Sequence, residues 1–436
     1  MHHDGEKKTG LVPFPRFFSV LGYSAFWCVA ILVLAEAASR IVLPIYHHFS
    51  SPLLKVGPDS ENLLSQRRGA GLIGALFFDN VWLDMSSASP AYVGYGWAED
   101  FWKEQRSRFE FENARPAPYE PFRIWGMEES HGKYINVDKT EMGARRRTFN
   151  PLQPGCESRQ AQKVWVFGAS TTWGYGTPDF ETIPSNLSKN LNSASGNCVE
   201  VSNLGVDGYN TNQEVVYLIQ QLKAGGLPDA VVFFDGYADA YVGTLGPGLP
   251  STHWDYDEIK AKQQSTVINW PDLVKRSSFL SFMDRLRMRL RRSQGTLSDQ
   301  ERAARVKSTM DNYELNLALV RVLAREYGFD AFFFWQPYVL YGKKPLVLFE
   351  QNMLDDRAIH DVYKEADRRA AETGKFIFLG GVFDRVKEPV YIDSVHLGPL
   401  GNEIIAGAIA AQIQPALLNR RAKLEDASKG KPSSSP

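Results

Sequence analysis

Three residues of this chain have the types needed for nucleophilic acyl chemistry: Ser170, Asp393 and His396. A serine hydroxyl attacks a carbonyl only when a base takes its proton, and histidine does this near neutral pH. The histidine in turn needs an acceptor that fixes its tautomer. Asp393 lies three residues before His396, near enough to orient the ring within one turn. Charge developing on the attacked carbonyl calls for donors already in place, and the backbone amides of Ser170 and Gly205 are the expected ones.

Each of these residues also has a plainer reading. Ser170, followed by Thr171 and Thr172, has the composition of a helix N-cap. Asp393 suits a cap on the last helix, and Gly205 and Gly208 suit turns. His396 has one competitor after residue 300, His360, which sits on a charged helical stretch without a motif. Asp235 and Asp239, four residues apart, are too little for a metal site. No Cys/His cluster has zinc spacing, so neither a metal nor another cofactor is expected.

The positions of these residues follow from an alternating pattern that begins at Lys163. KVWVFGAS, VEVSNLGV and DAVVFFDG read as buried strands, with helical spacing between them over 183–191 and 212–224. After an interruption over 241–300 the alternation resumes: a helix at 302–327, the strand DAFFFWQP, a helix at 356–373, the strand KFIFLG, and a helix at 401–418. Five strands with intervening helices imply an α/β fold with a doubly wound parallel sheet. Ligands of such sheets bind at the carboxyl ends of the strands. Gly168-Ala169-Ser170, Asn203-Leu204-Gly205 and Gly236-Tyr237-Ala238-Asp239 all lie there, and Gln336 ends the fourth strand. Asn203, Tyr237, Asp239 and Gln336 are accordingly expected to contact substrate.

These blocks resemble the SGNH/GDSL hydrolases. VFGAST is similar to the first block of that family, NLGVDG to the second, FFDGYAD to the third and DSVHLGPLGN to the last, over residues 163 to about 418. The resemblance implies a flavodoxin-like sheet, Ser170 as nucleophile, Gly205 as an oxyanion-hole amide, and Asp393 and His396 as the rest of the triad. The sequence departs from the family twice. Ala169 replaces the aspartate of the GDS box, and Ala238 replaces the third-block asparagine, whose side chain is an oxyanion donor. Tyr237, Asn203 and Asn210 are candidates to replace that donor.

The rest of the chain sets the context. Of its 436 residues, Phe17 to Leu34 are apolar without a charge, and the run extended to about Val42, read as a signal-anchor over 17–43, is long enough to cross a bilayer. Lys7, Lys8 and Arg16 precede the run, which favours a cytoplasmic stretch over 1–16. A cleaved signal peptide ending near Ala35-Glu36-Ala37 and a buried helix are the alternatives to this signal-anchor. With the anchor in place the chain is single-pass, bound to the membrane by its N-terminal helix, and its catalytic domain is periplasmic or on the cell surface. Residues 44–160 are aromatic-rich without clear period and read as an irregular accessory region packed on the hydrolase domain, 161–420. The basic stretch Arg285 to Arg292 reads as a solvated helix face, and 421–436 as a disordered tail. A formal net charge of −1 argues against a nucleic-acid partner.

Cys156 and Cys198 each precede a strand, and from spacing alone they are either a disulfide or two unrelated buried thiols. The resemblance implies that these two strands are adjacent, which favours the disulfide. The anchor followed by an aromatic region also resembles bacterial cell-envelope members of the family. The expected function is a serine esterase acting on acyl esters, with an acetyl group on envelope polysaccharide as the substrate. A polysaccharide O-acyltransferase using the same triad and a non-catalytic glycan-binding or scaffold protein are the alternatives.

Overall fold

The computed structural model describes residues 86–113, 117–152, 156, 161–193, 197–264, 297–351, 353 and 357–429. The apolar run at 17–43, the start of the accessory region, the stretch Arg285 to Arg292 and the end of the tail lie outside them. Among the described residues no helix is long and apolar enough to cross a membrane.

The accessory region is more regular than its sequence suggests. It holds a 3₁₀ turn at Pro90–Tyr92, helix α1 (Ala98–Asn113), the hairpin β1 (Tyr119–Glu120) and β2 (Ile124–Trp125), and an antiparallel sheet of β3 (Ser130–His131), β4 (Asn136–Thr140) and β5 (Gly143–Arg146). The helical period was hidden because the inward stripe of α1 mixes Phe101 and Trp102 with buried Gln105 and Arg108.

The main domain begins with β6 (Gln162–Gly168), α2 (Ser170–Trp173), α3 (Ile183–Leu191), β7 (Val199–Gly205), α4 (Thr211–Lys223) and β8 (Ala230–Asp235). It continues through α5 (Tyr237–Thr244), α6 (Tyr256–Gln264), α7 (Asp299–Tyr327), β9 (Asp330–Trp335), α8 (Leu348–Gln351), α9 (Arg357–Thr373), β10 (Ile377–Phe378) and α10 (Pro399–Lys429). The sheet order is β7-β6-β8-β9-β10 and every pairing is parallel. All six residues of β8 are buried, as expected of a strand covered on both faces. Helices α3 and α10 pack together, and α7 packs with α4, α5 and α9. Helix α7 is fixed at both ends, by a Ser298–Glu301 capping box and by Gly328 at φ +74°.

Three expectations are corrected. The fifth strand has only two residues, Ile377 and Phe378. The interruption at 241–300 contains the end of α5 and all of α6. The last helix runs on to Lys429, so the first part of the expected tail is helical. RAKLEDASK is rich in good helix formers, and only the final KPSSSP has the low-complexity composition.

Candidate active site

The strand order reverses between β7 and β8, on either side of β6, which makes the carboxyl end of β6 the switch point. Ser170 stands there as the first residue of α2. The N-cap position is Ala169, which makes no side-chain cap, so the serine hydroxyl is left for other partners. Gly168 permits the sharp strand-to-helix turn: a Cβ on it would stand 2.1 Å from Thr172 Oγ1 and 2.6 Å from the Phe234 carbonyl. As the first N–H of a helix, that of Ser170 lacks an intrahelical acceptor.

The loop before α10 brings Asp393 and His396 to the same place. His396 Nε2 lies 2.7 Å from Ser170 Oγ, and His396 Nδ1 lies 2.7 Å from Asp393 Oδ2. The other carboxylate oxygen, Oδ1, accepts the N–H groups of Val395 at 2.9 Å and His396 at 2.7 Å. Burial pushes the Asp393 carboxyl up, but the His396 charge and these hydrogen bonds outweigh it and hold the group below the usual carboxylate range. Asp393 and His396 are buried, while Ser170 is half-buried and open to a ligand. A serine, a histidine and a carboxylate in this order can generate a nucleophile and hold the resulting imidazolium.

Several residues expected to meet substrate have hydrogen-bond partners within the protein. The Gly205 N–H, expected as an oxyanion donor, donates to Asn203 Oδ1 at 2.9 Å. Asn203 is fully buried, and its amide donates to the carbonyls of Thr172 and Trp173 at 3.1 and 3.2 Å. It ties β7 to α2. Gly205 serves the same junction, since a Cβ there would lie 2.4 Å from the Trp173 nitrogen. Gln336 is buried and accepts from Thr171 Oγ1 at 2.9 Å, which braces α2 from the β9 side. Asn210 donates to the Thr252 carbonyl at 2.8 Å. Tyr237, half-buried at the start of α5, is the expected contact residue that remains near the carboxyl end of β8.

Asp239 is also buried, where Thr211 donates to it from both its hydroxyl and its N–H. It belongs to a group of buried acids with Glu214 and Asp235. Burial pushes the Asp239 carboxyl up to about 6, against the pull of the Thr211 hydrogen bonds. Glu214 and Asp235 are raised well above the carboxylate range, chiefly by burial, and the Asp235 charge adds to the rise of Glu214. Among the described residues no group of three or more His, Cys, Asp or Glu is arranged to hold a metal.

Some residues at the site carried no sequence signal. The Tyr175 ring packs on His396 with centroids 4.6 Å apart. Ser89 Oγ donates to the Tyr391 carbonyl at 2.8 Å, next to the Asp393 loop. Glu350, fully buried, accepts from the N–H groups of Val390 and Tyr391 at 3.1 and 3.3 Å and from Lys344 Nζ at 2.8 Å. Asp207, on the turn after β7, is exposed, yet enough protein surrounds it that desolvation raises its carboxyl, with His396 pulling the other way. At the far end of the sheet Cys156 and Cys198 are bonded, with Cα atoms 5.7 Å apart.

No family model matches the chain, and no curated protein matches it. Solved structures do. An acetyl xylan esterase, AlAXEase, is 14% identical over 58% of this chain and 99% of its own, with a TM-score of 0.33. The lipase/acylhydrolase from Enterococcus faecalis is 15% identical over 58% of this chain and 96% of its own, at 0.34. A member of the lipolytic protein G-D-S-L family from Veillonella parvula DSM 2008 is 13% identical over 56% and 94%, at 0.29. At these identities and scores the likeness says nothing about activity, which rests on the geometry above. The chain is similar in structure to lipolytic proteins of the G-D-S-L type and to acetyl xylan esterases.

Proposed function

We propose that the chain is a serine esterase of SGNH/GDSL type. The observation that carries this reading is the continuous hydrogen-bonded line from Ser170 Oγ through His396 to Asp393, with 2.7 Å at each step. In the proposed reaction His396 Nε2 takes the Ser170 proton as Oγ bonds to the ester carbonyl carbon. The Ser170 N–H stabilises the oxyanion, and the alkoxide leaves with the proton from His396. Water, deprotonated by the same nitrogen, then releases the acid and restores Ser170.

The substrate proposed is a small acyl ester, such as acetyl on an envelope polysaccharide, met outside the cytoplasm. The bonded pair Cys156–Cys198 supports an oxidising compartment, and the apolar run at 17–43 supports a membrane anchor. Ala238 favours a second reading, a glycan-binding protein without turnover, because it removes an oxyanion donor worth about 10²–10³ in rate. One experiment separates them. Wild-type chain is expected to take a fluorophosphonate label and to hydrolyse p-nitrophenyl acetate, with both lost in Ser170→Ala. Absence of label on wild type sinks the esterase.

A further inference from the structure

Arg146, the last residue of β5, lies in the accessory region but bonds through all three of its guanidinium nitrogens to the segment that follows Ser170. Its side chain has no solvent exposure. Nε donates to Asp179 Oδ1 at 2.9 Å, Nη1 to the carbonyls of Trp173 and Gly174 at 3.1 and 2.7 Å, and Nη2 to the Thr177 carbonyl at 2.5 Å. The guanidinium also lies 4.4 Å over the Trp173 ring. Gly174, at φ +98°, leaves it room, since a Cβ there would stand 3.0 Å from Nη1. Tyr92, from the same region, donates to the Gly176 carbonyl at 2.6 Å.

The segment so held touches both reacting side chains. Trp173 ends the single turn that Ser170 begins, and the N–H groups of Gly174 and Tyr175 both donate to the Ser170 carbonyl. Tyr175 then packs on His396. A four-residue helix has little stability of its own, so its position depends on what grips its far end. We propose that Arg146 is a positioning residue for the esterase reaction, acting through Trp173–Thr177 on Ser170 and His396. The accessory region is then part of the catalytic apparatus. The proposal rests on the esterase reading.

The test uses the full chain. Active sites are titrated with a fluorophosphonate, and kcat for p-nitrophenyl acetate is expressed per titrated site, well below the melting temperature. Arg146→Lys, which keeps the charge but not the planar fork, is expected to lower that kcat by about 10²-fold with KM within about threefold. Tyr92→Phe keeps the ring packing and is expected to cost about fivefold, the effect of one hydrogen bond. If Arg146→Lys does not fold, Tyr92→Phe decides. An unchanged kcat per titrated site, with only a lower melting temperature, overturns the proposal and leaves Arg146 as scaffold. A wild type that takes no label instead removes the esterase reading on which the proposal stands.

Discussion

Asp393→Asn perturbs the site in a way that follows from the partners of its two carboxylate oxygens. Asp393 Oδ1 accepts two backbone N–H groups, those of Val395 and His396, while Oδ2 faces His396 Nδ1. An asparagine has one carbonyl oxygen, and it satisfies both backbone donors only at the Oδ1 position. The reverse orientation sets an NH₂ against two buried N–H groups. The NH₂ therefore faces Nδ1, which has to accept, and the ring proton moves to Nε2. That nitrogen then donates to Ser170 Oγ and can no longer take its proton. The same substitution in a triad of another fold costs about 10⁴ in kcat, or about 5 kcal/mol at 1.36 kcal/mol per decade. The same loss is expected here, with the melting temperature little changed because both backbone acceptor contacts persist. Turnover of p-nitrophenyl acetate, with Ser170→Ala as the floor, measures it. A variant within about tenfold of wild type refutes the tautomer argument.

Three further outcomes are expected. The folded chain holds protons on Glu214, Asp235 and Asp239 that unfolded carboxyls, with pKa values near 4, have released. Stability therefore falls as pH rises from about 4 through the Asp239 value of about 6 and beyond, and Glu214→Gln flattens the fall. Thermal unfolding followed against pH checks this, and a flat wild-type curve across that range counts against it. Cys156 and Cys198 close a loop of sequence separation 42, for which chain entropy gives about 4 kcal/mol. The double serine variant should lose about that much in denaturant unfolding, and a loss near zero rejects the entropic account. Gly205→Ala places a Cβ 2.4 Å from the Trp173 nitrogen, so it is expected to cost about 1–3 kcal/mol and to lower kcat by moving α2. An unchanged kcat shows that the junction yields without disturbing Ser170.

The parallel sheet was legible because its strands are continuous apolar runs separated by helical spacing, the pattern expected of a sheet covered on both faces. The accessory region was not. Its buried stripe on α1 includes Gln105 and Arg108, β3 is Ser-His, and β4 and β5 carry Lys139, Arg145 and Arg146, so neither period stands out in hydrophobicity. Arg146 illustrates the limit. Within the run Arg145-Arg146-Arg147 nothing marks the middle residue as fully buried, because its partners, three backbone carbonyls and the Asp179 carboxylate, lie more than 25 positions later.

The site divides along the same line. Ser170, Asp393 and His396 were legible because short local blocks carry them, and the competing N-cap reading fails on geometry, since the cap position belongs to Ala169. The engagement of the Gly205 N–H by Asn203 had an available signal. Asparagine two residues before a glycine is the spacing at which an Asn side chain accepts that residue's N–H. Read as an amide already engaged, Gly205 becomes a packing residue that lets α2 approach β7, and Asn203 becomes the bond that keeps it there. Residues of β5 and β7 and the residue that follows β9 thus all reach α2, through Arg146, Asn203 and Gln336 with its partner Thr171. A one-turn helix is too short to hold a nucleophile to within the small tolerance that attack requires. On the proposed reading Ser170 owes its placement to those three side chains, of which only Asn203 lies within the blocks that carry the family resemblance.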